Sequence, residues 1–461
     1  MRKARKNMVS VPSPHNATRY HVARKQFHYQ VVVAKRSHAQ AFAAKVKPGS
    51  DLWRLNSWYQ GVQKTTVPTL KHPSSTQSLP VWVSQAAEKT DLLATSWFPN
   101  KPTHTTHPPH PYPPADTRDF IPVTKEEVID TLKECASDNA PGISGLSYKA
   151  WKWVAQTAPG PLIAVVQTAI ALSVHHPSWK QSLVAVILKN NKKDMALPKS
   201  HCPIQLIECL GKLVEKIIAQ RIYFDLGKFD LMPFNQFSGR SNSSYLDAGL
   251  SLTHDIQTAR KKGLVSSFLA VDIKGFFDHV DHGRLLDVLH HKGFPLNIVR
   301  WVKSFLAGRF VRVRVDDHIG DPHPQNVGVP QGSPISPVLA CIYSSVALET
   351  FNKSPIFYEL DTHDLPISIR AYIDDHGLHA ISHDLETNVY LLKKALESLV
   401  GTFTAIGMSI DPDKCDLMHF SWRRGETNPP LKTTLYGKEL TVTPPSSIRW
   451  LGFHLDRKLS F

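Results

Sequence analysis

From Thr124 onward, apolar residues recur by turns at helical and at strand spacing. Thr124 with Glu127 three residues on has the form of a capping box and predicts a helix to about Ala136. Residues 138–153 (DNAPGISGLSYKAWKW) read as a turn-rich loop entering a helix. Residues 183–188 (LVAVIL) read as a buried strand, followed by the basic turn 189–194 (KNNKKD). Residues 210–223 put Leu213, Ile217 and Ile218 on one face and predict an amphipathic helix; 243–262 predicts another. Residues 267–272 (SFLAVD) form a predicted strand ending in an acid, with helices expected over 282–292 and 296–307. The alternating run 310–315 is a strand, 326–332 (NVGVPQG) a loop, and 334–351 an apolar helix N-capped by Ser333. Two short apolar runs, 365–371 and 377–381, predict a hairpin with Asp374-Asp375 at its tip. A helix over 385–405 and a strand over 415–420 follow.

Ahead of Thr124 the pattern is weaker. Residues 38–47 predict a helix ended by Pro48-Gly49. Residues 51–98 hold Trp-rich islands, expected to be partly ordered anchors on a later part of the chain. Residues 99–122 are Pro-rich and read as a linker. His104, His107 and His110 have ligand-like spacing there, but a metal site needs a supporting shell, so a solvated tract is expected.

Setting aside the inserted helices and the 310–315 strand, the order from 267 to 420 is β-α-β-β-α-β, the split arrangement in which the first strand lies beside the central hairpin. Asp272, Asp374 and Asp375 then converge at one edge of a sheet. Asp316-Asp317, the other acidic pair, falls outside this core and reads as an ordinary turn. Adjacent carboxylates repel, so a turn presenting them calls for a counter-charge. Hard oxygen ligands suit Mg²⁺, and a third carboxylate suits a two-metal site.

Charge adds a second theme. The chain of 461 residues carries 54 Lys+Arg against 39 Asp+Glu, a net +15. Residues 1–50 hold eleven of those bases and no acid, so they form a basic arm suited to phosphate backbones or another anionic surface. The length allows two or three domains. Five cysteines without a C-x-x-C point to a reducing compartment rather than a disulfide framework. The longest apolar stretch, 161–174, is interrupted by Gln167, Thr168 and Ser173 and is too short to span a bilayer, so a soluble intracellular chain with no membrane partner is expected.

Seven stretches occur in one order: APGISG (140–145), KSHCPIQLIECLGKLVEKIIAQRI (199–222), NQFSGR (235–240), VDIKGFFDHV (271–280), GVPQGSPISPVL (328–339), YIDD (372–375) and IRWLGFHLD (448–456). Together they resemble the reverse transcriptase of non-LTR (LINE-type) retrotransposons, over roughly residues 120–461. Residues 51–120 more loosely resemble the connector before that domain. The resemblance implies an α/β (α+β) right-hand polymerase: a basic arm (1–50), a connector and Pro-rich linker (51–120), fingers (121–265), a palm (266–425) and a truncated palm/thumb junction (426–461), with a poorly ordered N-terminal extension. It implies RNA-directed DNA synthesis, with an RNA template, a DNA primer, dNTPs and Mg²⁺, and a nuclear location. Asp272 and Asp374 would bridge the ions, Asp375 would be secondary, and the Ile273 carbonyl would complete one metal's shell. Phe277 matches the aromatic gate that excludes a 2′-OH. Gln331-Gly332 would let the backbone approach the incoming base pair, since Gly has no Cβ. Lys414 matches a lysine near the leaving phosphate.

The sequence departs from the family at Cys202, where an arginine facing the triphosphate is usual, and at Ser144, where an Asp is usual. Lys189, Lys192 or Lys193 would partly replace the missing charge. The chain stops just after the LGFHLD strand, and no endonuclease segment precedes residue 51, so a fragment of a longer element protein is expected. The alternative function is a relic that keeps the fold and binds nucleic acid without activity.

Overall fold

Ser13 opens the first helix: its Oγ accepts from the Asn16 backbone N–H at 3.2 Å. Pro14 occupies the first helical position, where a missing N–H costs nothing, and α1 runs over Pro14–Ala43 without an internal Gly or Pro. The helix expected over 38–47 therefore begins 24 residues earlier than predicted, at a Ser-Pro start signal passed over in the sequence, where a poorly ordered extension was expected. The computed structural model describes residues 13–43, 67–72, 81–98, 115–189, 194–240, 243–354 and 367–460. The chain divides into two units, Met1–Thr66, to which α1 belongs, and Val67–Phe461. Part of the Trp-rich stretch, the Pro-rich segment with His104, His107 and His110, and Lys192 and Lys193 lie outside the described residues.

In the second unit, β1 (Leu70–Lys71) pairs with β2 (Trp82–Val83), and α2 (Ala86–Trp97) follows. Helices α3 (Lys125–Glu134), α4 (Tyr148–Thr157) and α5 (Pro159–Ala171) lead to β3 (Gln181–Leu188) and β4 (His201–Leu206). Thr124 caps α3 as expected, accepting from Glu127 N, but the Glu127 carboxylate turns away to a two-point contact with Arg221 at 2.8 and 2.7 Å. Arg221 sits on α6 (Cys209–Lys228); α7 (Tyr245–Lys261) opens with a complete Ser244/Asp247 capping box.

The next strand, β5 (Val265–Lys274), carries Asp272 near its end. Helices α8 (His282–His291) and α9 (Leu296–Leu306) precede β6 (Arg309–Val315), β7 (His318–Ile319) and β8 (His323–Gln325). Strands β4-β3-β6-β7 form one sheet, with β3 parallel to β6 and β8 on the free part of β6. Val311, Val313 and Val315 pack with Leu92, Leu93 and Trp97 of α2, while Phe310, Arg312 and Arg314 alternate outward. Asp316-Asp317 is the β6–β7 turn, with Asp316 at φ 55°.

Then come α10 (Ser336–Asn352), β9 (Ile367–Tyr372), β10 (Asp375–Ser382), α11 (Leu385–Ala405), β11 (Ser409–Ile410) and β12 (Asp416–Phe420). β5 lies inside the second sheet: β10 pairs on one side, with β9 beyond it, and β12 and β11 pair on the other. That strand order matches the split β-α-β-β-α-β reading. Leu269, Val271 and Ile273 face a core shared with α10 and α11, whereas Phe268 and Ala270 face α7 and the closing hairpin. The alternation of β5 thus puts Asp272 on the second face and Ile273 in the core. α10 starts at Ser336 behind Ile335, so Ser333 is not its cap: the Ser333 Oγ accepts the Ile335 N–H at 3.3 Å, ahead of the helix, and donates to Glu215. Two hairpins, β13 (Leu431–Leu435) with β14 (Lys438–Val442) and β15 (Ser447–Trp450) with β16 (Phe453–Asp456), complete the unit. Among the described residues, no single helix is long and apolar enough to cross a membrane.

Candidate active site

Tyr372 pairs with Asp375, so the β9–β10 hairpin turns through only Ile373 and Asp374. A two-residue turn of this kind needs φ > 0 at its first position, which favours Gly. Here Ile373 takes φ 55°, a left-handed conformation that is unusual for a β-branched residue. Three contacts hold it. Ser238 Oγ accepts from the Ile373 N–H at 3.0 Å and donates to Gln236 Oε1 at 2.9 Å. The segment carrying Ser238 runs along β9, with Phe237 N donating to Ala371 O at 2.8 Å and Ala371 N to Asn235 O at 2.9 Å. From the other side, buried His376 donates Nδ1–H to Asp374 O at 3.0 Å; burial pushes its pKa down to about 4, so the ring is neutral.

The register then fixes the acids. Asp272 and Asp375 are direct cross-strand partners, so their side chains share a face, with Asp374 beside them at the tip. Burial, then the charges of Asp374 and Asp272, push Asp375 up to about 6, with Lys414 opposing. Asp374 is also raised, mainly by burial; hydrogen bonding to its own backbone and the Lys414 charge work against burial and Asp272. Lys414 supplies the counter-charge: Nζ lies 2.6 Å from Asp272 Oδ2 and 3.8 Å from Asp411 Oδ2. Burial would lower the lysine's pKa, but Asp272, with the charges of Asp411 and Asp374, outweighs it and raises it.

These are oxygen donors of the hard kind, and a carboxylate whose pKa is raised by acidic neighbours, as Asp375 is by Asp374 and Asp272, marks a place where a divalent cation substitutes for protons. The donor set therefore suits Mg²⁺ in chemistry. Among the described residues, however, no three His, Cys, Asp or Glu side chains stand gathered as a ready coordination set, and Lys414 lies on Asp272. The Ile273 side chain is in the core.

Phe277 and Gln331 come from two loops bound to each other. Val329 N donates to Phe277 O at 2.8 Å, Gly328 N to Val280 O at 2.9 Å, and Gln331 Nε2 to Asp278 Oδ1 at 2.9 Å. Phe277 is half-buried and meets Phe276 edge-on, with centroids 5.5 Å apart. Gly332 has φ 132°, and a Cβ there would lie 2.4 Å from Gln205 O. Its missing side chain thus makes room for β4, and Gln205 N donates to Gln331 O at 2.9 Å. Lys189 is exposed at the end of β3, its Nζ donating to Lys199 O at 3.1 Å, and its charge acts on Asp278. Cys202 sits in β4 opposite Ile187, half-buried.

Ser144 is tied to Glu208. Its N–H donates to Glu208 Oε1 at 2.8 Å and its hydroxyl to Glu208 Oε2, so an Asp here would meet another carboxylate. Gly142 lets the loop lie on the same turn, since a Cβ would come 2.6 Å from Glu208 N.

Three residues beside the site escaped the sequence reading. Ser238, Asp278 and Glu215 all lie inside quoted motifs but received no role. Glu215, fully buried on α6, accepts from Ser333 Oγ at 2.5 Å and lies 3.4 Å from His175 Nε2. Burial raises its pKa, against the charge of buried Arg309. An acid at an otherwise apolar helix position was the available signal for Glu215.

Residues 187–455 match the family described as reverse transcriptase (RNA-dependent DNA polymerase). The chain is similar to the "RNA-directed DNA polymerase from mobile element jockey" of Drosophila melanogaster, with 26% identity over 93% of this chain and 46% of the relative. It is similar to the "probable RNA-directed DNA polymerase from transposon BS" of the same organism, with 25% identity over 74% of this chain and 36% of the relative. The chain thus spans between about a third and a half of the length of these curated relatives. With well over half its residues matched from β3 to β16, and with relatives among the polymerases of non-LTR retrotransposons, the chain belongs to the reverse transcriptase (RNA-dependent DNA polymerase) family.

Proposed function

We propose that this chain extends a DNA primer with dNTPs on an RNA template. The observation that carries the reading is the pairing of Asp272 with Asp375 across β5 and β10, beside Asp374 on a strained tip, within the stretch matched to the family. In this reading residues 121–265 are the fingers, 266–425 the palm and 426–461 the palm/thumb junction, with 1–50 a nucleic-acid arm, 51–120 a connector, and the nucleus the place of action.

Asp272 and Asp374, with Asp375 secondary and the Ile273 carbonyl as a further donor, would hold Mg²⁺. Two such ions, when bound, clamp the attacking and leaving oxygens of an in-line phosphoryl transfer. The chain's own residues do the rest. The β9–β10 turn holds Asp374 at the primer end. Phe277 lies against the sugar and excludes a 2′-OH. Gln331 and the Gly332 backbone line the place of the incoming nucleotide. Lys414 neutralises Asp272 and exchanges it for the anionic leaving group, and Lys189 adds positive charge on the nucleotide side.

The test is primer extension on an RNA template with Mg²⁺, comparing the wild-type chain with Asp374→Asn, which keeps shape and removes charge. Extension by the wild type and none by the variant supports the proposal. Nucleic-acid binding without extension in either supports a relic instead.

A further inference from the structure

We infer that Asp278 is a positioning residue for Gln331: it sets which end of the Gln331 carboxamide faces the nucleotide, and it ties the 326–333 loop to the turn that carries Phe277. This rests on the polymerase reading of Gln331 and Phe277.

A carboxylate only accepts hydrogen bonds, whereas a carboxamide has one accepting and one donating end. Gln331 Nε2 donates to Asp278 Oδ1 at 2.9 Å, so Gln331 Oε1 is turned away from Asp278. With a hydrophobic or absent partner at 278, both ends could point either way. The Asp278 oxygen presented to Gln331 Nε2 selects one of the two ends; burial raises the Asp278 pKa, and the Gln331 hydrogen bond, with the charges of His279 and Lys189, works against that shift and favours the accepting carboxylate.

The backbone around the pair is equally fixed. Gly328 has φ 77°, and a Cβ there would lie 2.8 Å from Phe277 O and from Asp278 Cα and O. His282 Nε2 donates to Gly328 O at 2.8 Å. Together with the Val329–Phe277 and Gly328–Val280 bonds, these contacts make the two loops one body. On its far side, Gln331 O takes the Gln205 N–H from β4. The side chain of Gln331 is thus the part whose aim the backbone does not settle, and Asp278 settles it. Asp278 itself need not touch substrate.

The test is a double-mutant cycle on the full chain, read as KM for dNTP against kcat, with equilibrium dNTP binding and thermal melts alongside. Asp278→Ala should raise KM and weaken dNTP binding about tenfold, the upper scale of one hydrogen bond. Gln331→Ala should do the same, and the double variant should be no worse than Gln331→Ala alone. Asp278→Asn keeps the shape but offers Gln331 a donor as well as an acceptor, so it should leave the carboxamide unaligned and recover little of the loss. Multiplying effects, or an Asp278→Ala variant that melts lower but keeps its KM, would overturn the inference while leaving the polymerase reading intact. A wild-type chain that neither extends primers nor binds dNTP would overturn both.

Discussion

Ser238 Oγ accepts the Ile373 N–H at 3.0 Å, so the hairpin that carries Asp374 is braced by a side chain from outside it. Ile373 needs the brace. A β-branched residue at φ 55° stores on the order of 1–3 kcal/mol of strain. Ser238 is buried and is itself held by Gln236, with Cys341 Sγ 3.1 Å away, so it has little freedom to follow a moving tip. The local cost is offset by packing around the turn, and the benefit is a fixed place for Asp374.

Ser238→Ala should therefore lower stability by about 1 kcal/mol, the cost of an unpaired buried N–H. It should lower extension by roughly an order of magnitude, because the tip can then relax. Ile373→Gly removes the strain and should make the chain less sensitive to the loss of Ser238. Melting curves and steady-state extension of both single variants and the double check this. Equal Ser238→Ala effects in the two backgrounds would show that the brace and the strain are unrelated.

A pH dependence follows from Asp375. Its pKa in the folded chain is about 6, above its ordinary value of 3.8. A raised acid contributes stability that is fully present below the ordinary value and is lost as pH rises through 6. Asp374 works in the same direction. Buried His376 and His379 work oppositely, because their lowered pKa values make the folded chain lose stability as pH falls below the ordinary histidine value. A difference measurement separates them. In metal-free buffer, Asp375→Asn should melt like the wild type near pH 4 and above it at pH 7. Added Mg²⁺ should shrink the gap at pH 7. A gap that does not change with pH would mean the carboxylate is not held in a burying, acidic environment.

Much of this site was legible because its parts are local. The Asp374-Asp375 tip, the strand ending near Asp272 and the capped helix after Thr124 each announce themselves within ten residues. What could not be read are partnerships across long separations. Ser238 and Ile373 are 135 residues apart, Gln331 and Asp278 are 53, and Ser333 and Glu215 are 118. Ser333 shows the cost of local reading. Its position before an apolar helix fits a cap, yet its hydroxyl serves the buried Glu215 and the helix begins later. The N-terminal part of the first helix was missed for a different reason: its residues show no apolar stripe, so only the Ser13-Pro14 start marks it.

Gly332 offers a test of a sequence assumption. A glycine beside the nucleotide suggests room for the substrate, but the nearest atom to an added Cβ is Gln205 O at 2.4 Å. Gly332→Ala should therefore lower the melting temperature, with a cost of about 2 kcal/mol or more from the clash and the φ of 132°. Full stability with a selective rise in KM for dNTP would return the glycine to a purely substrate-facing role.

Phe277 is half-buried on the turn bound to the Gln331 loop, which leaves part of the ring available to a sugar. Phe277→Val should admit ribonucleotides while leaving deoxynucleotide use largely intact. The check is the ratio of kcat/KM for a matched dNTP and rNTP. An active variant with an unchanged ratio would make the ring a packing residue only.

Cys202 is the departure with the clearest chemical consequence. It lies on the face of β4 that also carries Ile204, and the β3 and β6 registers place Ile187, Ala185 and Arg314 along the same face. That face is open: Ile187, Ile204 and Arg314 are exposed, whereas the other face is packed under α2. An arginine at 202 would add a planar, permanently charged fork able to hold a phosphate at two points. A thiol offers a weak donor and mostly no charge near neutral pH. A charge-assisted hydrogen bond contributes about 1.5–3 kcal/mol, so Cys202→Arg should raise kcat/KM for dNTP by roughly one to two orders of magnitude. Arg312, Arg314 and Lys189 are among the described cations on or beside this face, and Arg314 is the one in register with Ala185, so Arg314→Ala should cost more in the native chain than in the C202R background. Steady-state extension at equal folded concentration measures both effects. Equal, nonzero rates with and without C202R would show that this face of β4 does not meet the triphosphate, and the departure at 202 would then have no bearing on catalysis.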